Sequence, residues 1–388
     1  MSAAYITGLG AFFPNDPVPN DRMESTLGMI NGKPSWAREI VLGSCGITSR
    51  HYAIDAETGR ATHTNARMTA GAVLSALRDS GAALPSLDLL ACGTATPDQL
   101  NPGHGSMTHG DLKGGPAMEA VSFSGFCASG MAALRYCYIS VLSGQRRLCA
   151  ATGSELSSAV LRASRFKVQE VDVDAAALRA NPVLSMNKEF LRWIAADGAG
   201  CAVLAPAPKA GGLSLRIDWL DCRSLAHEYD ACMYHGAEKD RKTGELHGWL
   251  EEPDLGRALE RNYFCITQDV ALLKRSVIHA GINRVLKQII EERGLRPETY
   301  DWFLPHLSSF YFKQPIVQAL QEISFPIPEE RWFTNLDTVG NLGSAALYVM
   351  LEQAMREGRF REGQRVLCGV PESGRFNYYF MQLTVVRG

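Results

Sequence analysis

The chain has 388 residues, 46% of them hydrophobic and 21% charged, with a formal net charge of -2. This is the balance of an ordinary globular protein, and it excludes the strongly basic domain of a general nucleic-acid binder. Ten cysteines without CxxC spacing read as reduced thiols, not as a disulfide framework or zinc site. No apolar run reaches about 18 residues, and the opening MSAAYITGLG lacks a basic, then apolar, leader, so a cytoplasmic chain without a membrane span is expected.

In chain order, Tyr5 to Leu9 reads as a buried strand ended by Gly10. Residues 66–81 have helical spacing and a terminal glycine. Leu89 to Cys92 is a strand running into the loop Gly93-Thr94-Ala95-Thr96-Pro97, and Val121 to Phe123 is a short strand. Residues 128–143 predict a helix with Gly144 just past its end, and Leu148 to Thr152 another strand. Strand and helix thus alternate, which favours an α/β sheet covered by helices. Residues 171–190 are mixed and polar, and 226–262 read as an inserted run of loops and short helices. Helices follow over 266–293, 313–321 and 344–357, with strands at Asp301 to Pro305, Arg365 to Val370 and Tyr378 to Val386. No linker separates the halves.

Three segments could carry chemistry. Ser124-Gly125-Phe126-Cys127-Ala128-Ser129-Gly130 sets a cysteine between a strand and a helix. The positive end of a helix dipole stabilises thiolate, so Cys127 is expected to have a lowered pKa and to act as an acyl acceptor. Its neighbouring glycines let backbone approach closely; the bland alternative is a buried structural thiol. Leu304-Pro305-His306 ends an apolar strand in a histidine that can donate or accept a proton in a cleft. In Gly340-Asn341-Leu342-Gly343 the asparagine amide could donate to an oxyanion, or be a turn residue or helix cap. Gly8-Leu9-Gly10 lacks the third glycine of a dinucleotide fingerprint, and HGSMTH (His104 to His109) is not a metal-binding helix pattern, so no metal is assigned.

In this order the three segments resemble the β-ketoacyl-ACP synthase III family of the thiolase superfamily. The resemblance spans nearly the whole chain. It includes Gly8-Leu9-Gly10, Gly46-Ile47-Thr48-Ser49-Arg50-His51, Thr94-Ala95-Thr96-Pro97-Asp98, the Cys127 segment, the turn Asp197-Gly198-Ala199-Gly200, Pro305-His306 and Gly340-Asn341. It implies an α/β thiolase fold, five-layered αβαβα, from two pseudo-symmetric halves. The first (1–207) would carry the nucleophilic cysteine, and the second (208–388) the His and Asn, with the insertion near 226–262. It implies an acyltransferase that loads an acyl group on Cys127 and condenses it with a second acyl or β-ketoacyl thioester activated by His306 and Asn341. Backbone N–H groups of Cys127 and of Ser373 or Gly374 would hold the oxyanion. No cofactor is implied; acyl-CoA or acyl carrier protein supplies the thioesters, a homodimer is expected, and neither nucleic acid nor membrane is a partner.

Leu307-Ser308-Ser309 replaces the family's Gln-Ala-Asn, and Val370-Pro371-Glu372-Ser373-Gly374-Arg375-Phe376 replaces its late glycine-rich loop. These departures, with Gly153-Ser154-Glu155, resemble the ketosynthase/cyclase branch that makes cyclohexanediones and dialkylresorcinols. Glu155 and Glu372 are then candidates for an additional acid/base. Asn101, Phe126 and Arg375 are candidates for the substrate tunnel, Asn101 by reaching the tunnel of a second subunit. Arg162, Arg165, Lys167, Lys274 and Arg275 are candidates for contact with an acidic carrier protein, the alternative being solvated helix faces. Competing functions are an ester- or amide-forming acyltransferase of the same family, a housekeeping fatty-acid initiation synthase, a cysteine hydrolase, and a non-catalytic partner subunit.

Overall fold

The computed structural model describes residues 3–35, 37–166, 183–240 and 242–388, and of 183–188 the backbone alone. Its framework is nine strands: β1 (Tyr5–Phe12), β2 (Leu89–Thr94), β3 (Glu119–Ser124), β4 (Cys149–Leu156), β5 (Asp197–Ala205), β6 (Leu213–Ser224), β7 (Trp302–Pro305), β8 (Arg365–Glu372) and β9 (Asn377–Arg387). They run in the order β7-β8-β9-β6-β1-β5-β4-β2-β3. The strands before residue 206 lie on one side and those after it on the other. Tyr5 opposite Arg216 and Ile6 opposite Leu215, with Ile217 N–H donating to the Ala4 carbonyl at 3.0 Å, join the two sides. A buried cluster explains this geometry. Helices α2 (Ser129–Leu142) and α6 (Ala346–Arg356) contribute Met131, Leu134, Leu347 and Leu351 to a core shared with Leu89 and Ala202 on one side and Val366 and Met381 on the other. Helix α1 (Asn65–Ser80) covers the outer face of the first side, and α3 (Val270–Ile278), α4 (Lys287–Arg293) and α5 (Lys313–Glu322) that of the second. The result is five layers, helix, sheet, helix, sheet, helix.

Several elements form as their residues dictate. Thr64 caps α1 by accepting from Arg67 N–H, and Gly81 closes it with φ 71°. Two glycine readings are corrected. Gly10 does not end β1; the strand runs on to Phe12, and a Cβ on Gly8 or Gly10 would overlap α1 backbone at Ala76. The glycines there permit close helix-on-strand packing. Asp197-Gly198-Ala199-Gly200 is not a turn but the start of β5, where a Cβ on Gly200 would overlap the Tyr348 side chain. Strand β6 escapes the sequence reading because its alternation breaks at Asp218, where β9 skips a residue between Gln382 opposite Trp219 and Leu383 opposite Ile217.

The 226–262 segment forms a small hairpin (Ala237–Lys239 with Leu246–Gly248), a 3-10 turn and the short helix Leu255–Glu260. Between α3 and α4 the helix is of π type over His279–Leu286. Among the described residues no helix is long and apolar enough to cross a membrane.

Candidate active site

The β3–α2 turn presents Cys127. Ser129 N–H donates to the Phe126 carbonyl at 3.0 Å and Ser129 Oγ to the same oxygen at 2.9 Å, which closes the turn before the helix begins. Gly130 lies where a Cβ would overlap the Ser344 carbonyl, so α2 can abut the loop that follows Asn341. Tyr348 Oη then donates to the Gly130 carbonyl at 2.7 Å.

His306 sits at the end of β7, its N–H donating to the Gly369 carbonyl of β8 at 2.8 Å. Its ring is buried, and Nε2 has no hydrogen-bond partner. Burial alone pushes its pKa down to about 4, so the imidazole is neutral at physiological pH. A neutral ring with an uncommitted Nε2 is suited to donating a hydrogen bond to a developing oxyanion.

Asn341 is clamped by its backbone: its N–H donates to the Ile194 carbonyl at 2.8 Å, and its carbonyl accepts from Ala196 N–H at 2.9 Å. Gly340, with φ 74°, makes this possible, since a Cβ there would come 2.8 Å from that of Arg50. The Oδ1 of Asn341 accepts from Gly343 N–H at 3.0 Å. That fixes the orientation of the amide and leaves its NH2 side for a ligand.

Two cavities meet at Cys127. The first, about 700 Å³, holds His306, Ser308 and Ser373, and is otherwise walled by apolar residues such as Val277, Ile282, Phe312 and Ile316. The second, about 410 Å³, holds Asn341 and Glu155 with Phe126, Leu161, Leu191 and Met233. Cys127 is thus shared by a His306 chamber and an Asn341 chamber.

The expected thiolate is corrected by its surroundings. Burial, then the carboxyl groups of Glu372 and Glu155, hold the Cys127 thiol well above the ordinary thiol range. The helix dipole is outweighed. Glu155 is fully buried: Oε2 accepts from Thr96 Oγ1 at 2.8 Å, Oε1 from Ser344 N–H at 3.2 Å, and both face Ala95 N–H at 3.3 Å. Burial outweighs these donors and raises its pKa to about 7. Glu372 lines neither chamber; Oε2 accepts from Ala128 N–H at 3.3 Å, and burial raises its pKa.

Of the tunnel candidates, Phe126 lines the second chamber. Arg375 does not line either: it is exposed, and its Nε donates to the Tyr229 carbonyl at 3.1 Å, not to Glu372. Asn101, in a cis peptide with Pro102, is exposed and lies outside both chambers of its own chain. Ser373 lines the first chamber, while the Gly374 carbonyl accepts from Cys232 and Met233 N–H groups. Among the basic candidates, Arg162 and Arg165 donate to the Gly59 and Ala159 carbonyls, and Lys274 lies 4.8 Å over the Tyr311 ring with Arg275 exposed beside it. Lys167 is outside the described residues. The apolar wall from Leu273 to Ile282 was invisible in sequence, because helical periodicity does not separate a cavity lining from a packed core. His104, part of the rejected metal pattern, is buried with Nε2 near Thr69 Oγ1 (3.1 Å) and Ser154 Oγ (3.0 Å).

A family model for the C-terminal part of 3-oxoacyl-ACP synthase III matches residues 290–370. The β-ketoacyl-ACP synthase III of Bordetella petrii is 25% identical over 371 residues, covering 95% of this chain and 94% of that protein. Synthase III 1 of Deinococcus radiodurans is 24% identical over 377 residues, covering 95% and 90%. Among solved structures, AbyA1, a tetronic acid condensing enzyme, superposes with TM-score 0.74 at 23% identity over 98% of this chain and 99% of that one. Xanthomonas campestris OleA with bound lauric acid and lauroyl-CoA gives 0.73 at 16% identity, over 98% and 99%. The 3-oxoacyl-ACP synthase III of Pseudomonas aeruginosa gives 0.69 at 18% identity, over 100% and 99%. The five layers are therefore the thiolase fold. By sequence along nearly its whole length the chain is similar to β-ketoacyl-ACP synthase III enzymes, and it shares the fold of the condensing enzymes that superpose on it.

Proposed function

We propose that the chain is a ketosynthase that joins two acyl thioesters, each with an apolar chain, by Claisen condensation at Cys127. The observation that carries this reading is the position of Cys127 at the junction of two apolar chambers, one holding His306 and the other Asn341. A synthase that extends acetyl with malonyl needs no second apolar chamber.

In the first half-reaction Cys127 Sγ attacks the donor thioester. The new C–S bond forms, the donor's C–S bond breaks, and the thiol proton leaves with the CoA or carrier thiol. In the second, the α-carbon of the other thioester loses CO2, or gives a proton to the Glu155 carboxylate that faces the second chamber. The carbanion equivalent is stabilised as an enolate by hydrogen bonds from neutral His306 Nε2–H and the Asn341 amide. It attacks the acyl carbonyl; a C–C bond forms, and Cys127 departs as thiolate and takes up a proton. Retention of an amide at position 341, where an acid would suit a base working on an oxygen or nitrogen acceptor, favours condensation over ester or amide formation.

The reading extends to an aldol ring closure after condensation, to CoA or an acyl carrier protein as donor, and to a homodimer. Strand β3 ends the sheet with one edge unpaired among the described residues, an edge open to a second copy. One preparation tests the set. Its native mass is expected at twice that of the chain. Incubation with a fatty acyl thioester and a β-ketoacyl thioester is expected to release a product containing both carbon chains. A monomer contradicts the dimer, and free fatty acid as the sole product contradicts condensation.

A further inference from the structure

Glu372 stands where the family's glycine-rich loop would be, at the end of β8, with its carboxylate against the turn that carries the nucleophile. Its Oε2 accepts from Ala128 N–H at 3.3 Å, and the Phe126 backbone, with that of Ala128, partly offsets the upward push of burial on the carboxyl's pKa. These two residues flank Cys127. The glycines around it make room: a Cβ on Gly125 would come 3.3 Å from Oε2, and one on Gly374 2.9 Å from Oε1. Ala128 is the cap residue of α2 and has no side chain to serve that end of the helix, so Glu372 supplies the negative group there from another strand.

We propose that Glu372 is a positioning residue for the nucleophile. It braces the turn around Cys127 from another strand, through Ala128 N–H and its approach to Gly125, so that the N–H of Cys127 is left for the thioester oxygen. A carboxylate at that helix end also disfavours a thiolate at rest. The proposal rests on the reading of Cys127 as acyl acceptor. It departs from the role of acid/base for Glu372, because the carboxylate lines neither chamber.

The charged and titratable groups around this point are few. Facing Cys127 are Glu372 from β8 and Glu155 from β4, both raising its pKa, and His306, which lines the same chamber and is neutral. Glu372 acts in turn on Cys222 of β6 and Tyr379 of β9, and Arg135 of α2 acts on Cys222. None of the ion pairs among the described residues involves Glu372. A resting thiol kept neutral resists oxidation and loses its proton only in the reaction that acylates it.

The test reads alkylation of Cys127 by iodoacetamide across pH, located by peptide mass, and needs no turnover. The wild-type midpoint is expected above the ordinary thiol value of about 8.5. Glu372→Gln keeps the size and removes the charge, and is expected to move the midpoint down so that alkylation at pH 7.5 is about tenfold faster. Glu372→Asp keeps the charge with a shorter reach; its alkylation profile should stay with the wild type while acyl transfer slows. A Gln profile that superimposes on the wild type overturns the proposal, as does a wild-type midpoint at or below 8.5, which is readable even if the variant does not fold. Failure of acyl loading with the expected alkylation shift would instead overturn the role of Cys127.

Discussion

Glu155 shows how one carboxyl can serve both framework and chemistry. Its oxygens tie the 95–96 loop to Ser344, just past Asn341, while the same side chain faces the second chamber. A carboxyl raised to about 7 is half-protonated near neutral pH, the condition for passing a proton in either direction during ring closure. Glu155→Gln is therefore expected to leave acyl loading at Cys127 intact and to yield linear product in place of cyclic; mass spectra of the released product distinguish them, and undiminished ring formation contradicts the role. At this scale Cys127, His306 and Asn341 were legible as a set of segments, because each couples a reactive side chain to glycines or a strand end. What the sequence hid was their electrostatics. The Cys127 thiol is raised first by burial in the folded core and then by carboxyls some 28 and 245 positions away in the chain, counted from residues 155 and 372, and no local pattern encodes such surroundings. The expected lowering by the helix dipole failed chiefly because the thiol is buried, and then because Glu372, at that helix end, and Glu155 face it.

Among the elements, the helical run from Val270 to Arg293 defines the first chamber. Its middle is a π segment, a widened turn common at functional sites. Gly281 lies there against Tyr378, where a Cβ would come 2.5 Å from the ring, and Ile282 faces the cavity one residue on. Filling that wall shortens the chain the chamber can take. Ile282→Trp is expected to leave loading of short acyl groups unchanged and to lower turnover of the longest accepted chains by at least about tenfold, the scale set by losing one or two buried methylenes. An unchanged chain-length profile from competition assays contradicts the assignment. Sequence periodicity located α1 and α2 within a residue, since caps such as Thr64 and Gly81 are local signals, and placed the start of this helical run four residues early, at 266. It did not foresee β6 or β5, where a bulge at Asp218 and glycines chosen for close packing interrupt the alternation that marks a strand.

The whole molecule explains why the site lies where it does. Two sheets pack against a shared layer of α2 and α6, and the candidate site residues come from element ends that converge on that layer: the start of α2, the end of β7 and the loop before α6. Under the proposed reading, the nucleophile and the enolate donors come from opposite sides of one shared core, so neither side completes the chemistry alone. The resemblance of scattered segments foretold this layering; the two chambers follow from side chains that only the folded core brings together. The most direct test of the account is the intact mass of the wild-type protein and of Cys127→Ala after incubation with a panel of acyl thioesters. The account predicts one acyl group on the wild type, removed on adding a β-ketoacyl thioester, and none on Cys127→Ala. An unmodified wild type across the panel, or an equal adduct on Cys127→Ala, would contradict it.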